Sequence, residues 1–591
     1  MGANARAAET ATAADEPLGA LMARVGARLA GDPAYLSDWF AKRVAAAPDA
    51  LLALEGEARW TYGQVDALAN RIARAGRAAG LKRGDVAACL LDNSVRLLAM
   101  LVGLSRIGVS FSLINPALPA RALSHAVAAV PPDIVFLNGQ AAAALAGERL
   151  PPCVRLERSD SDEFARWIAP HDGRPLTPAE SSPATPDDTL FYIFTSGTTG
   201  LPKAARCSHR RYIGSATSES CILEMAPGDR AYVVLPMFHI AALSLTGAAI
   251  SAGATYVLRE KFSASAFWDE VRRTGVTHFQ YLGEIGRYLV AQPPRANDRE
   301  HSLRAMIGAG LQTQTWRAFL DRFGPVRIVE CYGSSEGVCN LINLEGRIGS
   351  VGREAPGENR LRIVRFDVDS GLPARDGQGR LIDCAADEAG ELLGALSESF
   401  TFEGYSSAEA TETRLIEEPG HGEGAGKGRR WFRTGDLFRR DAEGFYYFVD
   451  RVGDTFRWKG ENVSTQEVAT ALMEFPGLVQ AAAYGVRVPG HEGRAGMAMI
   501  ELWPGGEFAP AAFARHLRDR LAAHAVPLFV RVGHGAELTA TYKMRTAELQ
   551  KQGYDPAAVA GQLYVLQGEH YVPLTSASLA RAGLPAFESE T

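Results

Sequence analysis

Short apolar runs of strand length alternate along the chain with longer segments in which apolar residues recur at helical spacing. The runs are Val86–Leu91, Val109–Ile114, Ile134–Leu137, Leu190–Phe194, Tyr232–Leu235, Tyr256–Leu258 and Arg327–Glu330. Strands that alternate with helices are typical of βα units joined into a mainly parallel sheet. The pattern therefore predicts a large α/β domain.

Local signals mark where some elements begin and end. Helical periodicity runs through Leu21–Trp39. The Thr61–Gln64 segment has a capping-box pattern in front of an apolar-periodic run, which predicts the start of a helix. The Asn138-Gly139 pair, directly after the Ile134–Leu137 run, is a turn signal.

Composition divides the chain into segments. Residues 1–19 are rich in alanine and predict a disordered tail. Residues 155–188 are polar and contain five prolines, which predicts a long surface connection. Near residue 450 the pattern changes, and helix-like Thr465–Phe475 and strand-like Val479–Val488 indicate a compact unit. We predict a large N-terminal domain over residues 20–450, a smaller C-terminal domain over residues 451–570 and a tail over residues 571–591.

Composition and charge exclude several classes of protein. Of the 591 residues, 47% are hydrophobic and 22% are charged, as in globular proteins. The 62 lysines and arginines against 68 aspartates and glutamates give a formal net charge of −6. This balance gives no electrostatic reason to expect a nucleic-acid partner.

Cysteine usage and hydropathy bear on the compartment. The seven cysteines include no C-x-x-C pair, so neither a zinc ribbon nor a disulfide framework is expected, and a reducing, intracellular compartment fits best. The N-terminal residues lack the apolar stretch of a signal peptide. The most apolar early run, Leu97–Leu104, is bracketed by Arg96 and Arg106 and is too short to span a bilayer. We expect a cytoplasmic protein, and peripheral attachment to the inner face of a membrane stays open.

One motif carries most of the chemical information. The apolar run Phe191–Phe194 passes directly into Thr195-Ser196-Gly197-Thr198-Thr199-Gly200-Leu201-Pro202-Lys203. The glycines let the backbone approach a ligand, N–H groups and hydroxyls can donate to phosphate oxygens, and Lys203 adds a positive charge. The spacing is not that of a Walker A loop, because Pro202 stands at its second glycine and Ala204 at its serine or threonine.

This stretch resembles the phosphate loop of the adenylate-forming superfamily, which includes acyl-CoA synthetases, luciferases and peptide-synthetase adenylation domains. Further stretches resemble other motifs of the superfamily and follow in the same order: Tyr332–Glu336, Thr434–Asp436, Arg451 and Lys459–Asn462. Four stretches resemble one branch of the superfamily, the fatty-acid transport protein/very-long-chain acyl-CoA synthetase branch: Phe279–Leu289, Asp450–Asn462, Pro527–Arg531 and Thr541–Lys543. The resemblance covers roughly residues 45–570.

The resemblance implies a fold and a reaction. The fold is a large adenylation domain of several subdomains with mostly parallel sheets, followed by a small, mobile α+β lid domain. The reaction joins a long- or very-long-chain fatty acid to CoA through an acyl-adenylate and releases AMP and pyrophosphate. ATP, Mg²⁺ and CoA as a substrate are therefore expected, and CoA ligases for bile-acid-like or carnitine-like acids stay open as alternatives.

The resemblance also assigns residues to the nucleotide and the metal. Glu336 would bind Mg²⁺ with Thr195 nearby, since hard oxygen ligands suit this ion. Tyr332 would stack on adenine, and Asp436 would accept hydrogen bonds from the ribose hydroxyls. The nucleotide-binding residues implied in this way are Thr195, Ser196, Gly197, Thr198, Thr199, Gly200, Lys203, Gly310, Tyr332, Ser335, Asp436 and Arg451.

The lid domain would supply the catalytic lysine, Lys543, which would reach the acyl oxygen and the α-phosphate during adenylation. After that step the lid would rotate about a hinge at Gly453, where many relatives have aspartate or lysine. Rotation would remove Lys543 and admit CoA along a tunnel beside Lys459, Gly460 and Glu461.

The acyl end of the site is less sharply marked. His239, in a Met-Phe-His segment, matches the superfamily's acyl entrance, and it either positions the substrate carboxylate or is a core histidine with its ring hydrogen-bonded. The resemblance places Gln280, Tyr281 and Glu284 in the walls of the acyl pocket.

Two other classes of protein compete with a ligase. Gly333–Gly337 satisfies the G-x-S-x-G pattern of an α/β-hydrolase, and Asp436 with His491 or His524 would complete the chain order of a triad. The residues that follow, 338–343, do not have the helical pattern that such an elbow requires. A non-catalytic lipid-uptake protein would have no need of Lys203, Glu336, Asp436 and Lys543 together.

Overall fold

The computed structural model describes residues 18–148, 154–156, 162–196, 202–334, 336–354, 359–368, 370–396, 402–419, 429–533, 546–559 and 561–585. Side chains are described throughout these ranges except at residues 154–156, 195 and 196. The chain divides into two compact units. Unit 1 comprises Met1–Glu358 and Leu396–Leu415, and unit 2 comprises Asn359–Ala395 and Ile416–Thr591.

Unit 1 alternates strands with helices. Its strands are β1 (Leu51–Glu55), β2 (Ala58–Thr61), β3 (Val86–Leu90), β4 (Ser110–Leu113), β5 (Ile134–Leu137), β6 (Val154–Leu156), β7 (Thr189–Ser196), β8 (Pro202–Ser208), β9 (Arg230–Val233), β10 (Thr255–Leu258), β11 (His278–Leu282), β12 (Ala305–Ala309), β13 (Arg327–Tyr332) and β14 (Leu341–Ile342). Its helices are α1 (Leu18–Ala30), α2 (Leu36–Ala46), α3 (Tyr62–Ala78), α4 (Val95–Ser105), α5 (Ala120–Ala129), α6 (Gly139–Ala144), α7 (Asp162–Ile168), α8 (His209–Ile222), α9 (Ile240–Ala252), α10 (Phe267–Thr274), α11 (Gly283–Val290), α12 (Thr313–Phe323) and α13 (Ala408–Glu412).

Two mainly parallel sheets organise the described part of unit 1. One has the order β6-β5-β3-β4-β7-β8, and its β7–β8 pair is antiparallel while the others are parallel. The other has the order β14-β13-β12-β11-β9-β10-β1-β2, with antiparallel pairs at its two ends. Strands β5 and β10 are buried at every position, as expected for parallel strands covered on both faces. The predicted α/β class with mostly parallel sheets is confirmed.

Unit 2 is richer in antiparallel strands. These are β15 (Leu361–Val364), β16 (Phe366–Asp367), β17 (Leu372–Pro373), β18 (Gly390–Ala395), β19 (Leu415–Glu418), β20 (Arg429–Arg440), β21 (Tyr446–Arg451), β22 (Phe456–Trp458), β23 (Glu461–Val463), β24 (Leu478–Val486), β25 (Ala495–Leu502), β26 (Phe529–Val532), β27 (Gln562–Gln567) and β28 (His570–Pro573). Its helices are α14 (Thr465–Met473), α15 (Pro510–Arg518), α16 (Thr546–Gln552) and α17 (Ser576–Arg581). The sheet β24-β25-β26-β27-β28 and these helices enclose a hydrophobic core. The domain boundary that the change of pattern predicts near residue 450 stays a prediction.

Several local signals have the predicted outcome. The Gln64 N–H donates to Thr61 Oγ1 (3.1 Å) and the Thr61 N–H donates to Gln64 Oε1 (2.9 Å), so the capping box at the start of α3 is confirmed. The β5 strand has the predicted bounds. In unit 2, α14 and β24 occupy the predicted helical and strand segments to within two residues at each end.

Other local signals have a different outcome. Asn138 is the N-cap of α6, with Oδ1 accepting the Ala141 N–H at 2.8 Å, so it starts a helix rather than a turn. Its side chain satisfies a backbone donor at a helix start just as well as it forms a turn. The periodicity from residue 21 to residue 39 belongs to two helices, α1 and α2, which a bend separates.

Regular structure occurs in the predicted surface connection and in the predicted C-terminal tail. Helix α7 lies inside the predicted connection 155–188, and its Phe164 is buried. Within the predicted C-terminal tail, β28 pairs with β27, and Leu579 and Leu584 join the core of unit 2. Each segment buries only a few apolar side chains. In a short, mainly polar sequence so few apolar residues do not form a recognisable helix or strand pattern. At the other end of the chain, α1 begins at Leu18, and residues 1–17 lie outside the described residues.

Helix α4 contains the apolar run Leu97–Leu104 and has 11 residues. Every described helix is either too short or too polar to cross a lipid bilayer.

A buried carboxyl group in α8 makes the stability of the fold depend on pH. Glu219 is 7% exposed, its Oε1 has no hydrogen-bond partner among the described residues, and burial raises its pKa from 4.5 to about 8. Between these two pH values the folded state holds a proton that the unfolded chain has lost. The contribution of Glu219 to stability is therefore complete at low pH and is lost as the pH rises towards 8.

Glu219→Gln should therefore be stabilising at high pH and nearly neutral at low pH. We expect the variant to gain on the wild type by up to about tenfold in the folding equilibrium constant per pH unit between pH 5 and pH 8. Urea unfolding of both proteins at several pH values measures this. Glu57→Gln is the matched control, because Glu57 is 96% exposed. Parallel pH profiles for Glu219→Gln and the wild type would contradict the prediction.

Candidate active site

The predicted site residues of unit 1 follow the carboxyl ends of neighbouring parallel strands. Strands β9, β11, β12 and β13 run in one direction, so their carboxyl ends lie at one edge of the sheet. In open α/β sheets, ligands bind beyond this edge. The predicted residues that lie at or just after these strand ends are His239, Gln280, Tyr281, Glu284, Gly310, Tyr332 and Glu336.

A buried glutamate that the motifs do not single out fixes the loop after β12. Glu330, 3% exposed, accepts the N–H groups of Gly310 and Leu311 (3.1 Å for Leu311) on Oε1 and the Tyr281 hydroxyl on Oε2. Burial raises the pKa of Glu330 to about 8. Gly310 has φ +83°, and a Cβ on Gly283 would lie 1.8 Å from the Gly310 carbonyl oxygen. The two glycines thus let α11 and this loop touch through their backbones.

The three predicted acyl-pocket residues have different surroundings. Tyr281 is fully buried, and its hydroxyl is engaged with Glu330. Gln280 is 8% exposed, and its Oε1 has no partner among the described residues. Glu284 is half-exposed in the first turn of α11 and pairs with Arg287 at 2.7 Å. The geometry supports a positioning role for Tyr281 beneath the Gly310 loop, and its place in the pocket wall stays a prediction.

His239 starts a helix. It is the N-cap of α9, and its Nδ1 accepts the Ala241 N–H at 3.3 Å. A ring nitrogen thus makes the hydrogen bond that a side-chain oxygen usually makes at this position. The loop before it is held by Asn93, whose Oδ1 accepts the Met237 N–H (2.7 Å) and whose Nδ2 donates to the Leu235 carbonyl (2.8 Å). The half-buried ring therefore sits at a fixed point of the strand-end edge.

Glu336 lies in the loop after β13, where the sequence predicts the metal ligand. It is 6% exposed, and the Tyr405 hydroxyl donates to its Oε1. The nearby Ser334 Oγ is buried and has no hydrogen-bond partner among the described residues. No group of three or more His, Cys, Asp or Glu in the described ranges could hold a metal ion. The Glu336 carboxylate and the buried Ser334 hydroxyl, two positions before it in the chain, are oxygen donors of the kind that Mg²⁺ takes, and proteins commonly hold Mg²⁺ through one or two carboxylates together with substrate phosphates.

The phosphate-loop motif connects two antiparallel strands. Thr195 and Ser196 end β7, and their register partners on β8 are Lys203 and Pro202. Lys203 therefore stands on the strand that leaves the loop, and β8 leads into α8 through the N-cap Ser208. Several predicted site residues lie outside the described residues, and their roles stay predictions: Gly197, Thr198, Thr199, Gly200, Ser335 and Lys543.

In unit 2 the Thr434–Asp436 motif is braced by a second buried glutamate. Glu391 is fully buried, accepts hydrogen bonds from Nε (3.0 Å) and Nη2 (2.8 Å) of Arg433, and accepts the Gly435 N–H at 3.3 Å. Thr434 Oγ1 accepts the Asp436 N–H at 3.1 Å. These bonds fix the backbone that carries Asp436.

Asp436 and Arg451, both predicted to bind the nucleotide, are neighbours. They are register partners on β20 and β21, and Arg451 Nε is 3.9 Å from Asp436 Oδ1. Arg451 is half-exposed, so its guanidinium is accessible. The pair presents one carboxylate and one guanidinium side by side, which suits a ribose hydroxyl beside a phosphate.

The predicted hinge and CoA-tunnel residues follow directly. Gly453 lies in a turn after β21, and Lys459-Gly460 forms the β22–β23 turn with positive φ values of +52° and +84°. Asp450, fully buried, receives the Thr465 hydroxyl at 3.0 Å, and burial raises its pKa to about 6. This bond joins the two ends of the segment that contains Gly453, Lys459, Gly460 and Glu461.

The hydrolase alternative finds no support in these elements. After residues 333–337 the described chain continues into the short strand β14 rather than into a helix. A nucleophile elbow needs a helix directly after the turn.

Comparison with known proteins gives the family. The family described as AMP-binding enzyme matches residues 40–405, more than half of the chain. The chain belongs to the AMP-binding enzyme family. The resemblance of its motifs to the adenylate-forming superfamily is thereby confirmed.

Curated members of this family resemble the chain over nearly its full length. Long-chain fatty acid transport protein 6 of Mus musculus is 35% identical over 568 residues, which cover 93% of this chain and 90% of that protein. The medium/long-chain-fatty-acid–CoA ligase FadD6 of Mycobacterium tuberculosis is 37% identical over 546 residues, which cover 90% of this chain and 88% of that protein. The branch that the sequence resembles is thus represented among its relatives.

A solved structure supports the fold. ATP-bound MatB from Rhodopseudomonas palustris superimposes with a TM-score of 0.71 at 21% identity, over 88% of this chain and 98% of that one. This likeness shows that the two chains share one α/β fold.

Proposed function

We propose that this AMP-binding enzyme is an ATP-dependent long- or very-long-chain fatty acid–CoA ligase. The observation that carries the proposal is identity of 35% and 37%, over nine-tenths of the chain, to a long-chain fatty acid transport protein and to a fatty-acid–CoA ligase. Unit 1 adds support, because both Glu336, the predicted metal ligand, and Lys203, the predicted phosphate-binding lysine, belong to it.

The first half-reaction forms the acyl-adenylate. A carboxylate oxygen of the fatty acid attacks the α-phosphorus of ATP, the bond to the bridging oxygen breaks, and pyrophosphate leaves. Lys203 and the backbone of the phosphate loop would bind the leaving phosphates, and Glu336 would hold Mg²⁺, which supplies positive charge against the phosphate oxygens. Asp436 and Arg451 would orient the ribose, and Tyr332 with the Gly310 loop would orient the adenine.

The second half-reaction transfers the acyl group. The CoA sulfur attacks the acyl carbonyl carbon, the bond to the AMP oxygen breaks, and AMP leaves with that oxygen. Lys543 would act in the first half-reaction, and the turn at Lys459-Gly460-Glu461 would border the path of CoA in the second. Rotation at Gly453 between the two steps belongs to the same proposal.

The test is a panel of carboxylic acids, from short to very long, with one bile acid and one carnitine-like acid. Pyrophosphate exchange into ATP and CoA-thioester formation are measured for each acid with purified protein and Mg²⁺. We expect both activities to be greatest with long or very long chains. Activity with only the bulky or carnitine-like acids would favour the alternative CoA ligase, and lipid binding or ester hydrolysis without exchange would contradict a ligase.

The location of the enzyme is part of the proposal. We propose a cytoplasmic enzyme that meets its substrate at the inner face of a membrane, since fatty acids of this length partition into bilayers. Co-sedimentation with phospholipid vesicles, with and without fatty acid in the vesicles, measures the association.

A further inference from the structure

One short segment of unit 1, Glu403–Ser406, forms hydrogen bonds with β8, with the start of α8 and with Glu336. Residues 396–415 belong to unit 1, whereas the chain before and after them belongs to unit 2. The Arg206 N–H donates to the Gly404 carbonyl (3.1 Å), and the Ser406 N–H donates to the Ala204 carbonyl (2.9 Å). The Glu403–Ser406 segment thus pairs antiparallel with β8, the strand that begins with Pro202 and Lys203.

The same segment holds the end of β8 against α8. The carboxylate of Glu403 accepts the Ser208 N–H (2.8 Å) and the Ser208 hydroxyl (2.7 Å). Ser208 in turn caps α8 by accepting the Arg211 N–H at 3.3 Å. The strand that leaves the phosphate loop is therefore fixed at both of its edges and at its end.

The side chain of Tyr405 points from this segment to the candidate metal ligand. Tyr405 is 4% exposed and packs edge-on against Phe402, with ring centroids 5.4 Å apart. Its hydroxyl donates to Glu336 Oε1.

We propose that Tyr405 is a positioning residue that holds Glu336 for Mg²⁺ and couples it to the phosphate-loop strand. The proposal rests on the proposed function. The Tyr405 hydroxyl occupies one carboxylate oxygen of Glu336 and leaves the second to the cation. Because Tyr405 stands on a segment paired with β8, the metal ligand and Lys203 share one rigid support.

The expected effect follows from how partners of metal ligands act. A carboxylate that loses its hydrogen-bond partner rotates more freely, so binding a cation must then fix it at an entropic cost. Removing such partners commonly weakens metal binding by about 10- to 100-fold. A tyrosine with a merely structural role would lower the melting temperature without this selective loss.

The test replaces the hydroxyl alone. Tyr405→Phe and wild type are titrated with Mn²⁺, as a paramagnetic probe for Mg²⁺, in the presence of α,β-methylene ATP, and bound Mn²⁺ is measured by electron paramagnetic resonance. We expect about tenfold weaker Mn²⁺ binding. Tyr62→Phe is the matched control, because the Tyr62 hydroxyl is buried and donates to the Ala254 carbonyl (3.3 Å), away from the site. It should bind Mn²⁺ like wild type.

The same substitution in the Glu336→Gln variant distinguishes a positioning role from general destabilisation of the fold. Tyr405→Phe should weaken Mn²⁺ binding no further when Glu336→Gln is already present. Unchanged Mn²⁺ binding in Tyr405→Phe, or an equal loss in both backgrounds, would overturn the inference. A wild-type protein that binds no Mn²⁺ with the nucleotide would instead overturn the proposed function, and the melting temperatures of both phenylalanine variants report whether they fold.

Discussion

Glu336→Gln is expected to lower the rate of acyl-adenylate formation by about a hundredfold or more, the size of effect seen when one preorganised electrostatic group is removed. The amide has the size of the carboxylate and can still accept the hydrogen bond from Tyr405 on its oxygen. The substitution therefore removes the negative charge and the anionic metal ligand while it keeps the local packing. Acid-dependent pyrophosphate exchange, measured over a range of Mg²⁺ concentrations, should show the loss together with a raised Mg²⁺ requirement.

Two comparisons make this expectation specific. Glu345→Gln carries the same charge change at a half-exposed position, where Glu345 pairs with Arg353 at 2.7 Å, and it should leave exchange unaltered. Thiol attack on a supplied acyl-adenylate no longer involves the triphosphate, so Glu336→Gln should largely retain it. An unchanged Mg²⁺ dependence in the exchange assay would remove Glu336 from the metal site.

Local patterns suffice for much of the fold. The apolar run Ile134–Leu137 predicts a strand buried on both faces, and β5 is buried at each position. The Thr61–Gln64 capping box is readable because both partners lie within one helical turn. In each case the interaction that stabilises the element is encoded by residues close in sequence.

Where the outcome differs, the deciding contacts are distant in sequence. Asn138 supports a turn and a helix start equally well, and its Nδ2 hydrogen bond to Asp92 (2.6 Å) bridges 46 residues. The predicted C-terminal tail contains β28, which pairs antiparallel with the edge of β27. Leu579 packs into a core that consists mainly of residues before 530. No pattern within those short segments carries this information.

The candidate site divides along the same line. Glu336 and Asp436 are found from motif spacing, whereas Glu330, Glu391 and Tyr405 are not. Glu391 reaches its partner Arg433 across 42 residues, and Tyr405 reaches Glu336 across 69. A charged residue inside an apolar strand, as at Glu330 in β13, is the one signal that could have marked such a group.

Lys543→Ala is expected to lower acyl-adenylate formation by about a hundredfold or more and to spare the second half-reaction. The resemblance places this lysine at the acyl oxygen and the α-phosphate, where negative charge accumulates as the carboxylate attacks. A single ammonium group at that point stabilises the transition state more than the ground state, because the charge it faces grows during the step. Pyrophosphate exchange measures the first half-reaction, and CoA-thioester formation from a supplied acyl-adenylate measures the second.

The separation of the two half-reactions is what assigns the role. If the lid rotates about Gly453 between the steps, Lys543 is distant when the CoA sulfur attacks, and its loss leaves that step nearly intact. Lys551→Ala is the matched control, since Lys551 is 73% exposed on α16 and pairs only at the surface with Glu548 (2.9 Å), an interaction of little energetic weight. Equal loss of both half-reactions in Lys543→Ala would mean that this lysine stays in the site throughout, or that it acts on the fold, and the proposed rotation would lose its main functional consequence.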